Sequence, residues 1–208
     1  MKIRLDEKSA QTSATGLRDI EDRVSRALIW GAAWDMTRDA EMRTTDYLNM
    51  VLGADLGSIE IGVAQQLLLQ ARSAIEQFGN PENRAANRDA LAASLIEALA
   101  KTEPGSDHQL AFVKNIAGIS RTKEHIALIA GWLDGSATPA GLEVDTDLRW
   151  QLVARLVALG HLPETAIDQE LDRDNTAGGQ RQAASARAGI PTAEAKLIAW
   201  KSVIEDTN

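Results

Sequence analysis

At 208 residues the chain can bury one substantial core and holds no more than one or two domains. Its 44% hydrophobic content is ordinary for a globular protein, and the lack of cysteine excludes disulfides, thiolate metal sites and cysteine nucleophiles. A net charge of −8, with no basic tail in either half, removes the electrostatic basis for nucleic-acid binding and for attraction to an anionic membrane.

Residues 1–16 are polar and mixed, and read as a lead-in from a preceding element. No apolar run follows MKIRLDEK, and the longest wholly apolar stretches, Ala27–Trp34 and Ile126–Leu133, are too short to span a membrane. From Leu17 to Asp39, the residues Ile20, Val24, Ala27, Leu28, Gly31 and Trp34 recur at helical spacing and predict one long amphipathic helix with that set as its apolar face. Thr44–Leu52 reads as a short helix closed by Gly53. Residues Ile61, Ala64, Leu68, Ala71, Ile75 and Phe78 then alternate steps of three and four through a helix over Ile59–Phe78. Gly79, Asn80 and Pro81 break it, and Asn83–Lys101 resumes with Leu91, Leu95 and Leu99 on one face.

Ser106-Asp107-His108-Gln109 has the spacing of a capping box and predicts a helix to about Gly118. Thr122 opens another to Asp134, and Gly135–Gly141 reads as a hinge or connector. The most completely specified element is VDTDLRWQLVARLVALG, Val144–Gly160. Asp145 or Thr146 can cap its first N–H groups, Leu148, Leu152, Leu156 and Leu159 form its stripe, and Gly160 permits a left-handed exit. Three short helices follow over Pro163–Asp174, Thr176–Ala188 and Thr192–Glu205. No stretch alternates with a strand's period of two. The expected fold is therefore all-α: about ten short antiparallel helices in a HEAT/ARM-like α-solenoid or irregular helical stack. Residues 17–208 read as a single helical domain, and the apolar stripe of Trp200, Val203 and Ile204 so near the end predicts that this domain is incomplete at its C-terminus.

With its flanks, GLEVDTDLRWQLVARLVALG and the following acidic stretch to Trp200 resemble the C-terminal helical, ERAP1-like domain of the M1 zinc aminopeptidases, the bacterial aminopeptidase N group in particular. ALIWGAAWDMTRDAEM, Ala27–Met42, resembles a second block of the same domain in the same order. The resemblance implies a non-catalytic domain that closes over a zinc site carried by the catalytic domain of the same polypeptide. It would wall off the chamber in which N-terminal residues are removed from peptides. Its implied partners are that catalytic domain and the peptide substrate, with no nucleic acid and no membrane, and its implied location is cytoplasmic. A stand-alone α-solenoid adaptor that binds protein or peptide is the alternative.

The residues themselves offer no reactive centre, so the expected catalytic, cofactor-binding and metal residues are none. His108, His125 and His161 are too far apart for HExxH, Glu124-His125 has Ile129 where the second ligand would stand, and GAMEN is absent. Zinc is expected only in the parent's catalytic domain. Asp35, Arg38, Asp39 and Glu41, beside Trp30 and Trp34, read as a structural charge network with Arg38 on Asp35. Glu164, Asp168 and Asp172 read as a solvated face, and Asp172-x-Asp174-x-Thr176 lacks the glycine and glutamate of a calcium loop. Ser106, Asp107 and His108 read as a cap. Trp30, Trp34, Trp132, Trp150 and Trp200 all read as core, and Arg149 as facing a cavity or pairing with Asp145 one turn back.

Overall fold

The computed structural model describes residues 2–205, apart from the side chains of Ala14, Thr15, Arg18 and Glu205. Among these residues there are eleven α-helices and no strand: α1 (Glu7–Gly16), α2 (Arg23–Arg38), α3 (Thr44–Leu52), α4 (Ile61–Ser73), α5 (Arg84–Leu99), α6 (Asp107–Ile119), α7 (Lys123–Asp134), α8 (Thr146–Ala158), α9 (Thr165–Arg173), α10 (Ala177–Gly189) and α11 (Ala193–Glu205). Two short 3-10 turns, Leu17–Asp19 and Pro81–Asn83, and a π turn, Ala74–Phe78, join them. The fold is all-α, and the chain divides within α6 into two compact units, Met1–Asn115 and Ile116–Asn208.

Capping chemistry sets the helix starts. Asp22, Thr122, Asp145 and Thr176 each accept a backbone N–H three residues on, from Ser25 (2.7 Å), His125 (3.2 Å), Leu148 (2.8 Å) and Gly179 (3.1 Å). Each such cap contributes about 1 kcal/mol. Asp6 does the same for Ser9, so a helix, α1, forms where the sequence shows only a polar lead-in, and it packs on α3.

In the first unit the buried face of α2 is not the expected one. Trp30, Ala33, Met36 and Thr37 are buried, whereas Val24 is 66% and Leu28 51% exposed. The helix begins only at Arg23, after the 3-10 turn and a break at Ile20, and the face carrying the Trp30 ring turns inward. Trp30 and Trp34 then meet Tyr47 of α3 at 6.2 and 5.5 Å, and Phe78 stands edge-on to Trp34 at 5.8 Å. Tyr47 is fully buried, and its hydroxyl donates to Gln70 Oε1 of α4 at 2.7 Å. The stripe of α4 is buried from Ala64 to Ile75, but the π turn adds a residue to its last turn, rotating Phe78 off the stripe and leaving it 43% exposed.

In the second unit α8 is the hub, touching α7, α9 and α10. Leu148, Leu152 and Leu156 are fully buried, while Trp150, Val153 and Val157 pack with Ile167 of α9 and Ala183 and Ala186 of α10. Gly160 takes φ 71°, as its left-handed exit requires. The 135–141 connector is not loose. Ala137 N–H donates to Gly131 O at 2.9 Å and Thr138 Oγ1 to Trp132 O at 3.2 Å, so the loop folds back on α7. A Cβ on Gly131 would lie 2.7 Å from that of Ala137, which accounts for the glycine. Trp200, expected in the core, is 66% exposed, with Leu197, Ile198, Val203 and Ile204 exposed beside it on α11.

Candidate functional site

The acidic cluster at the end of α2 is a structural clamp. Asp39 accepts from Lys2 (2.9 Å) and Arg4 (2.7 Å), Arg4 Nε also meets Glu41 at 2.7 Å, and Leu5 N–H points to Met36 Sδ at 3.4 Å. Hydrogen bonds from Lys2 and then Arg4 hold the Asp39 carboxyl below its usual pKa, and the bond to Asp39 raises that of Arg4. Arg38 reaches Asp35 only at 3.9 Å, so the predicted i,i+3 pair is the weakest part of the network.

Ser106, Asp107 and His108 are dispersed as a cap requires. Ser106 Oγ accepts from Gln109 N–H at 3.2 Å, and Gln109 Oε1 reaches back to Gly105 N–H at 2.9 Å. His108 turns away, edge-on to Phe112, with Nε2 bonded to Ile59 O at 2.8 Å; it must donate there, since a carbonyl only accepts. His108 thereby anchors the α3–α4 loop, residues 53–60. Hollows open on both sides of that loop. One, about 690 Å³, is floored by Val24, Leu28, Trp30 and Val63 and edged by Arg23 and Glu60; the other, about 630 Å³, is more polar and includes Glu97 and Lys101. The first can receive an apolar side chain, and nothing in it forms a nucleophile–base pair.

In the second unit Glu164 and Asp172 are exposed, and Asp168 pairs with Arg187 of α10, so these three carboxylates form a solvated face. The buried carboxylate is Glu170, 3% exposed, which binds Arg149 bidentately at 2.8 and 2.7 Å. Arg149 therefore does not pair with Asp145, which is engaged as the α8 cap. The sequence does hold the signal: Glu170 falls four residues after Ala166 and three after Ile167, on the apolar stripe of α9. The hydrogen bond to Glu170 raises the pKa of Arg149. Next to it, Asp174 accepts from Trp150 Nε1 and Thr176 Oγ1, both at 2.8 Å, and these bonds lower its pKa. Among the described residues no three His, Asp or Glu are placed to hold a metal, and no helix is long and apolar enough to cross a membrane.

Caps, the clamp on Asp39 and the largely buried Arg149–Glu170 pair thus engage several of the polar residues the sequence brings forward, while Glu164 and Asp172 stay in solvent, and the class they define is an all-helical scaffold that presents hollows. The chain belongs to the family of the ERAP1-like C-terminal domain, whose model matches residues 1–208. It is similar to an aminopeptidase N from Streptomyces lividans, 45% identical over 204 residues; the match takes in 98% of this chain and 24% of that protein's length.

Proposed function

We propose that this chain is the non-catalytic C-terminal helical domain of an M1-type zinc aminopeptidase, walling the chamber in which N-terminal residues are removed from peptides. The carrying observation is the family match over the whole chain, joined to a relative named aminopeptidase N of which the chain spans about a quarter. In this reading residues 17–208 act as one domain entered through residues 1–16. Zinc, the attacking water and the general base belong to the catalytic domain, its principal partner, and the peptide is the substrate of the whole. A helical wall serves such chemistry by restricting entry and limiting bulk water at the site. A cytoplasmic setting accords with a sequence that contains no cysteine.

The purified chain should bind no stoichiometric zinc by metal analysis and should not hydrolyse aminoacyl substrates. Turnover that co-purifies with the chain through successive columns would defeat this reading. The second reading, a free-standing α-solenoid adaptor, draws on the exposed apolar residues of α11. The size of the native polypeptide in its source cells separates the two: a band several times larger than 22.4 kDa supports the enzyme domain, and a sole band at that mass supports the adaptor.

A further inference from the structure

Helix α11 carries an apolar seam that none of the described residues covers. Ala193, Leu197, Trp200 and Ile204 follow one another at steps of four, three and four, the spacing that lines side chains along one helix edge and meets a second helix in a coiled-coil pair. Leu197 is 54%, Trp200 66% and Ile204 53% exposed, and Val203, 80% exposed, stands at the edge of the seam. The half-buried positions of α11, Ala195 and Ala199, lie on the other side of the helix, which packs on α10. Alanines thus face inward and large apolar side chains outward, the reverse of what a surface helix needs in water.

The seam is complementary to itself. Laid antiparallel about a two-fold axis, with Leu197 against Trp200 of a second copy, it also sets Ala193 against that copy's Ile204, small against large at both ends. In this register the exposed Glu194 stands beside Lys201 of the second copy and Lys201 beside its Glu194, two pairs of opposite charge. A parallel pair would instead bring Lys196 and Lys201 to one rim; Lys196 Nζ donates to Ala188 O at 2.5 Å, and its charge stays on that edge. Charge therefore selects the antiparallel order. Leu197, Trp200, Val203 and Ile204 together expose roughly 500 Å² per copy, so a pair can bury about 1,000 Å², the lower bound for specific association.

We propose that the 208-residue chain forms a two-fold dimer by antiparallel pairing of α11, with Trp200 at its centre. An interface of this size gives a Kd on the order of 10–100 µM, so dilute chain is monomeric with Trp200 in solvent. The test is sedimentation equilibrium from about 5 µM to about 1 mM, a range that brackets that Kd. Apparent mass should climb reversibly from 22.4 kDa towards twice that value and stop there, because a two-fold contact closes. Trp200→Ser should weaken association about tenfold or more. Lys201→Glu, which sets two carboxylates together, should weaken it several-fold, and Glu194→Lys/Lys201→Glu should restore it. All three positions are exposed, so circular dichroism should show every variant folded. A mass of 22.4 kDa at every concentration overturns the pair and leaves the seam to a different polypeptide segment. Growth beyond a dimer overturns the two-fold contact, and tighter association in Lys201→Glu overturns the antiparallel order. Unchanged association in Trp200→Ser moves the contact off α11 and overturns the proposal.

Discussion

Ala40 adopts φ 61°, the one non-glycine in the left-handed region among the described residues. It closes α2 as Gly160 closes α8. Ala40 N–H donates to Thr37 O and Glu41 N–H to Met36 O; Gly160 N–H donates to Val157 O and His161 N–H to Leu156 O. The two ends share one hydrogen-bond pattern and differ in whether a Cβ must be accommodated. Left-handed geometry costs an L-residue about 1–2 kcal/mol, and the extra freedom of glycine in the unfolded chain returns roughly 0.4–1 kcal/mol of that. Ala40→Gly should therefore stabilise the chain by about 0.5–1 kcal/mol and raise Tm by roughly 1–4 °C, readable by calorimetry. An unchanged or lower Tm would mean that the Lys2 and Arg4 clamp on neighbouring Asp39 depends on a stiff corner.

Among the elements, α9 and α11 make opposite demands. Glu170 ties α9 to α8 through a largely buried bidentate pair, and its removal strands Arg149, a quarter exposed, against an apolar core. Glu170→Ala should cost about 2 kcal/mol, below the range for fully buried pairs because water still reaches the guanidinium. Trp200→Ser should change stability by less than about 0.5 kcal/mol despite deleting an indole, since that ring is mostly in solvent. Urea midpoints of the two variants give the comparison, and a Trp200 loss matching that of Glu170 would place the indole in a contact. These elements also mark what was legible. Cap, stripe and terminal glycine agree along α8, so its limits and buried face follow from sequence. Two apolar faces compete on α2, and only the packing of Trp30 on Tyr47 decides between them. α1 has a cap but no stripe, and the Arg149–Glu170 bond joins residues 21 apart, beyond any local pattern. The hollows beside residues 53–60 arise from how His108 pins that loop, which no spacing encodes.

For the whole molecule, the acidic balance sets the response to pH. Asp6, Asp22, Asp39, Asp134 and Asp174 all have pKa values lowered from 3.8, by hydrogen bonds at caps and turns, by paired cations at Asp39, and at Asp174 by the Trp150 indole and then Thr176. A carboxyl whose folded pKa lies below its unfolded one contributes stability that is present above the unfolded value and lost as pH falls through the folded one. Stability should thus hold from neutrality to about pH 5, decline as pH falls through about 4, and level off once it has passed the lowered folded values. Urea midpoints measured against pH would show it, with Asp22→Asn/Asp174→Asn flattening the acid limb. A decline already complete at pH 5 would assign the transition to other groups.

The alkaline side has its own reporter in the fully buried Tyr47, the sole tyrosine of the sequence. Burial raises its pKa above 10.0, so the phenol should stay neutral in the folded chain after an exposed tyrosine has ionised. Phenolate absorbance, normally a gradual titration centred near pH 10, becomes here an optical alarm. It should remain silent while α2, α3 and α4 enclose the ring, and sound in one cooperative step when that enclosure opens.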